Sequence, residues 1–341
     1  MSSYSVLTTQ TKSIRGDFFK MVPLLFFCFL LLFLNMFEDT SHRLGGVVDA
    51  QTTILDQMNV RTISSHISGL EERKKLRWLY KSIEFNIYKK IDHTLGNKAV
   101  RLAFDLHYSL HLLASLVFCI LISLHGQSRP GFDQVVVAVS AYLLIYYYVF
   151  SIDGYRENYT YIELTAISMA LYASLEKKIA LFLFAVILGV ANRETGIVMG
   201  LMYPLLNWQK ESAKKMVFFI LFGPLLLVTL NLDLFMQKNF YNLALFISKE
   251  TSSGPSLFHL SSIPPGTGII MALKYGVFFA PLSIFLPGLL RSDTGKKWIL
   301  IFLLYVAVIA LGSYLGNYFL LNLLIPFYIY GVGLTLNNAE R

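Results

Sequence analysis

Apolar runs broken by short polar stretches recur along most of this chain. They lie near 21–37, 106–124, 135–150, 159–175, 179–191, 195–206, 216–231, 268–290, 298–315 and 318–335. A helix of about 20 apolar residues crosses a hydrocarbon core. The pattern therefore predicts an all-α protein, a polytopic transmembrane helical bundle of about ten segments. Two of the runs are short. As helices, 179–191 and 195–206 would each extend only about 20 Å. They are either two helices meeting at a polar turn or one kinked span holding Asn192, Arg193 and Glu194 at mid-depth.

Charge separates these alternatives. With 179–206 as a hairpin, one side of the membrane receives Lys12, Arg15, Lys20, Arg129, Lys177, Lys178, Lys210, Lys214, Lys215, Arg291, Lys296, Lys297 and Arg341. The short loops on the other side then hold little beyond Arg156 and Arg193, with Lys238 and Lys249 in a longer loop. A single span would send the 210–215 and 291–297 clusters outward, against the bias that keeps Lys and Arg in the cytoplasm. The hairpin is the expectation, with ten segments and both termini cytoplasmic.

The stretch 38–101 is expected as a long outer loop. It holds eleven Lys/Arg and eight Asp/Glu, but loops of this length cross largely regardless of charge. Leu76, Tyr80, Ile83, Ile87 and Ile91 recur there at helical spacing. That face predicts either an interfacial helix on the outer leaflet or a helix docked on the bundle. The organisation expected is a cytoplasmic N-terminus (1–20), a catalytic transmembrane module with its outer loop (21–206) and C-terminal transmembrane helices (207–341).

Composition agrees with a lipid environment. The chain is 55% hydrophobic and 15% charged, whereas soluble domains carry about 25% charged residues. The net charge of +8 comes with no nucleic-acid signature, so it is read as cytoplasmic loops facing anionic lipid. Cys28 and Cys119 sit inside apolar runs, without the spacing of a disulfide or a metal site. Lys12, Arg15 and Lys20 precede the first run, as in a signal sequence. No small-residue cleavage site follows, so it is expected to remain as a first span.

On this topology, polar residues collect on the outer side. Glu38 and Asp39 leave the first segment, Asp153, Arg156 and Glu157 follow the third, and Asn192-Arg193-Glu194-Thr195 caps the hairpin. Glu163 lies one turn into the fourth segment and Lys274 about two turns into the eighth. Ionisable groups at the membrane margin usually face a cavity or one another. Each also has a structural reading. Asp39 can be an ordinary interfacial carboxylate, and Arg193 or Glu194 can fasten helices by pairing with Asp153 or Glu163.

Transfer of a group from a phosphate to a hydroxyl suits such a set. A carboxylate takes the acceptor's proton, and cations meet the charge that develops as phosphate departs. Arginine does so bidentately. No Asp-x-Asp, His-x-x-x-His or cysteine cluster is singled out for a metal, so a divalent ion held by one or two carboxylates is optional to the chemistry. No Gly-x-x-x-x-Gly-Lys loop and no Gly-x-Ser-x-Gly elbow is present. Nucleotide-driven and serine-hydrolase chemistry have no support.

Asp153-Gly-Tyr-Arg-Glu-Asn-Tyr-Thr-Tyr-Ile-Glu163-Leu, then Leu188-Gly-Val-Ala-Asn192-Arg193-Glu194-Thr195-Gly, resemble the core of the polytopic C-type membrane glycosyltransferases. Like them, this chain sets carboxylates (Glu38, Asp39) directly after its first span. The resemblance covers about residues 20–206. It implies transfer of a sugar from a polyprenyl-phosphate donor to a glycan or lipid acceptor, with inversion, in a bacterial plasma membrane.

It makes Asp39 the general base, with Glu38 as a second catalytic carboxylate. Arg193, Arg156 and Lys274 become donor-phosphate contacts, and Asp153, Glu163, Asn192 and Glu194 orient them. Relatives often carry a Glu/Arg pair near the last helices; here Asn317, Tyr318 and Asn322 stand around Gly316. Membrane lipid is an expected partner and nucleic acid is not. The same residues admit a polymerase, flippase or transporter with Asn192-Arg193-Glu194 between half-helices, or a non-catalytic membrane subunit.

Overall fold

The computed structural model describes residues 21–34, 97–125, 131–152, 159–208, 212–230, 265–312 and 318–339. Among these the chain is helical, without a strand, as the apolar periodicity predicts. The first helix is α1 (Met21–Leu34). There follow α2 (Asn97–Ser123), α3 (Phe132–Ile152), α4 (Tyr159–Leu175), α5 (Ile179–Asn192), a 3-10 helix (Glu194–Leu201) and α6 (Met202–Asn207). Then come α7 (Ala213–Leu230), α8 (Pro265–Phe279), α9 (Leu282–Leu290), α10 (Asp293–Gly312), a second 3-10 helix (Tyr318–Leu324) and α11 (Ile325–Ala339). By length and composition, α2, α3 and α7 each contain a stretch able to cross a membrane. The predicted outer loop and its interfacial helix lie outside the described residues up to 96.

Helix α4 is the centre. Every residue from Thr160 to Leu171 is buried, so no face is left for solvent or lipid. Its small side chains, Ala166, Ala170 and Ala173 with Ser168 and Ser174, let neighbouring backbones come close. Helix α2 runs parallel to it. Tyr108 packs on Tyr161, Ser115 Oγ lies 2.9 Å from Ser168 Oγ, and His125 Nδ1 lies 2.9 Å from Glu176 Oε1. Helix α3 returns along α2, where the Tyr142 hydroxyl donates to the Leu112 carbonyl. Helix α11 closes the other side: a Cβ on Gly333 would stand 2.7 Å from the Ser123 carbonyl oxygen. One buried apolar cluster runs from Cys28 to Tyr330, so the residues after 206 share the core of those before it.

These contacts define two ends. At one stand Ser123, Glu176 and Asn207, whose Nδ2 donates to the Ser174 carbonyl at 3.0 Å. Lys297 Nζ reaches the Leu206 carbonyl beside them. Lys177, Lys178, Lys214, Lys215 and Lys296 are exposed in the same neighbourhood. At the other end the Tyr147 hydroxyl donates to the Leu31 carbonyl at 3.3 Å. The exit of α1 is thereby set beside the end of α3 and the start of α4.

Helix α4 stops in a left-handed turn. Lys177 has φ 55°, and the Lys178 N–H closes back on the Ala173 carbonyl at 2.9 Å, the six-to-one bond that satisfies a helix end. That conformation costs a side-chain-bearing residue about 1–2 kcal/mol. Lys178 Nζ also donates to the Tyr172 hydroxyl at 2.8 Å. This raises its pKa from the ordinary lysine value and holds it charged.

The chain reverses at Arg193, which is extended (φ −157°, ψ 147°), and the 3-10 helix packs back along α5. Residues 179–207 are thus a hairpin, and the Asn207–Ser174 bond returns its second limb to the level where the first began. The reversal depends on close backbone contact. A Cβ on Gly196 would collide with the backbone of Gly189 and Val190, and one on Gly200 would stand 2.9 Å from the Phe219 carbonyl oxygen of α7. Backbone cannot yield there without opening the hairpin. Gly196→Ala is therefore expected to lose about 1–3 kcal/mol or more, read as a lower Tm of the purified protein. Gly131→Ala is the control, because its Cβ would meet nothing within 4 Å. An unchanged Tm for Gly196→Ala would show that the limbs are not in backbone contact.

Two expectations about extent are revised. Helix α2 begins at Asn97, nine residues before the apolar run at 106, and the run 268–290 divides into α8 and α9 at a turn through Ala280 and Pro281.

Candidate functional site

The hairpin tip and α4 meet in a buried ion pair. Helix α5 has fourteen residues and extends about 21 Å, against a hydrocarbon core of about 30 Å. Its tip is buried, at Asn192 and Arg193. Arg193 is 4% exposed and Glu163 1% exposed, with Arg193 Nη1 3.3 Å from Glu163 Oε2. The other carboxylate oxygen accepts from the Thr195 hydroxyl. Local sequence produces this geometry. The helical run ends at Asn192, the extended Arg193 swings the chain back, and Gly196 brings Thr195 to α4.

Charges this deeply buried hold only when paired and hydrogen-bonded, and Glu163 uses both oxygens here. The guanidinium presents its N–H donors in a planar fork, and Nη1 is the atom that meets Glu163. Asn192, the last residue of α5, is fully buried next to Arg193.

Sequence reasoning missed Tyr305 of α10. It is 2% exposed and packs on Phe327 with ring centroids 4.8 Å apart. Its hydroxyl makes no hydrogen bond among the described residues, and neither does that of Thr160. Thr160 lies three residues before Glu163, on the same face of α4. A buried polar atom with an unmade hydrogen bond costs about 1–3 kcal/mol. Tyr305 lies in an ordinary apolar run, and no sequence signal singles it out.

Asp105, His107 and His111 were also missed, although His107 and His111 stand four apart and would share one helix face. Asp105 is fully buried on α2. His111 meets α4 through Thr165.

The remaining predicted residues are distributed as follows. Lys274 is half-buried on α8, and its carbonyl accepts from the Tyr148 hydroxyl at 2.9 Å, which ties it to α3. Glu194 opens the 3-10 helix; its side chain lies outside the description, as do Glu38, Asp39, Asp153 and Arg156 altogether. Asn322 is 8% exposed on the second 3-10 helix, and Asn317 lies outside the described residues. Among the described residues no group of three or more His, Cys, Asp and Glu could hold a metal ion. The structure therefore brings Glu163, Arg193, Asn192 and Thr195 together. No family model, curated protein or solved structure matches this chain.

Proposed function

We propose that this chain is an integral membrane glycosyltransferase that moves a sugar from a polyprenyl-phosphate donor to a hydroxyl acceptor on the non-cytoplasmic side, with inversion. The topology proposed is ten segments with both termini at the basic end, the hairpin 179–207 supplying two of them. Asp39, with Glu38 beside it, takes the acceptor's proton. The acceptor oxygen then bonds to the anomeric carbon opposite the phosphate. The bond from that carbon to the phosphate oxygen breaks, and polyprenyl phosphate leaves with the electron pair. Arg193 and Arg156 meet its charge, Lys274 is a further phosphate contact, and Asp153, Glu163, Asn192 and Glu194 orient the set.

One observation carries this reading. The Tyr147–Leu31 bond sets the exit of α1 at the end of the bundle where Glu163 and Arg193 stand. The opposite end is rich in lysine, which supports the orientation. The break at Arg193 between α5 and the 3-10 helix also favours a second reading as a flippase or transporter, because half-helix ends suit an anionic substrate.

Arg193→Lys addresses the donor directly. A point charge replaces a fork, so polyprenyl phosphate should bind about tenfold more weakly in nanodiscs, with Tm near that of the parent protein. Undiminished binding would remove Arg193 as a donor contact. Sugar appearing on acceptor rather than moving across the bilayer distinguishes the transferase from the transporter.

A further inference from the structure

Apart from the Glu163–Arg193 pair, α2 presents two imidazoles on one face. His107 and His111 are separated by four residues, and their ring centroids are 4.7 Å apart with the edge of one toward the face of the other. We propose that these two rings form a binding site for a divalent transition-metal ion. This rests on α2 and α4 alone and does not depend on the transferase reading.

The chemistry starts at Thr165. Its hydroxyl lies 2.8 Å from the His111 carbonyl and 3.1 Å from the Tyr161 carbonyl. A carbonyl can only accept, so the single hydroxyl proton goes to one of these two. The oxygen is then an acceptor toward His111 Nδ1, 3.3 Å away. For the neutral ring this places the proton on Nδ1 and leaves the lone pair on Nε2. Metal-ligating histidines are oriented in this way, the second nitrogen donating to a fixed oxygen. His107 supplies the other nitrogen: its Nε2 is buried and makes no hydrogen bond among the described residues. Bringing the two Nε2 atoms onto one ion requires the His107 ring to turn about its Cβ–Cγ bond, a torsion with broad minima.

Asp105 is two positions before His107, about 200° around the helix, and is directed into the core. No third His, Cys, Asp or Glu joins the pair among the described residues. The remaining coordination positions would fall to water or to an oxygen of a bound molecule. Imidazole suits zinc, nickel and copper, whereas calcium and magnesium take oxygen ligands. An anion is disfavoured, because a lone pair at His111 Nε2 would face it.

The test is calorimetric titration of the full chain in detergent micelles with Zn2+, after stripping with a chelator. One Zn2+ per chain is expected. His107→Gln and His111→Gln should each abolish that binding. Thr165→Val should weaken it by about tenfold, the effect of removing an orienting partner. Metal-free Tm establishes that each variant is folded. If a variant does not fold, protection of the parent protein's histidines from diethylpyrocarbonate by Zn2+ reads the same site. Binding undiminished in both glutamine variants overturns the site, as does a parent protein that neither binds Zn2+ nor gains that protection.

Discussion

Asp39→Ala is expected to lower sugar transfer about 10²–10⁴-fold, the range lost with a general base, while the amount of protein and its Tm stay at parent levels. Asp39 follows Leu34 by five residues, which span at most about 18 Å. The end of α1 is joined to α3 through Leu31 and Tyr147, at the end of the bundle where α4 carries Glu163. Transfer from polyprenyl-phosphate sugar, followed with a labelled donor in proteoliposomes, is the measurement. Full activity in the alanine variant would leave the proposed reaction without its base.

The second large effect concerns the pair itself. Removing one member of a buried ion pair leaves an uncompensated charge and costs about 3–5 kcal/mol. Glu163→Ala or Arg193→Ala should therefore unfold at markedly lower temperature, the more so because Thr195 also loses its acceptor when Glu163 goes. Replacing both partners with apolar residues of similar volume, Glu163→Leu with Arg193→Met, removes the charge problem and should restore Tm close to that of the parent. Activity then discriminates between roles. A pair that only fastens α4 to the hairpin predicts an active double variant. The proposed function predicts a folded and inactive one.

Much of the helical layout could be read from the sequence, for reasons visible in individual elements. The run 159–175 coincides with α4 because Asn158 and the Lys177-Lys178 pair bound it sharply. The hairpin follows from the distribution of lysines. By contrast, the extension of α2 back to Asn97 is masked because Lys98, Arg101, Asp105 and His107 depress its hydropathy, while Leu102, Leu106 and Leu110 form an exposed apolar face. Pro281 was the available sign that 268–290 is two helices. The 3-10 geometry of Glu194–Leu201 arises from backbone contacts at Gly196 and Gly200 with two other helices, and a local pattern cannot report these.

At the site, Arg193 and Glu163 were legible as misplaced charges in apolar surroundings. Tyr305 was not, since it lies in an ordinary apolar run. The His107–His111 spacing is legible in the sequence.

Because α4 is enclosed on every side, it cannot tilt or slide without disturbing all its neighbours together. Glu163 is consequently a stationary post. Any rearrangement around it must be made by the neighbouring segments.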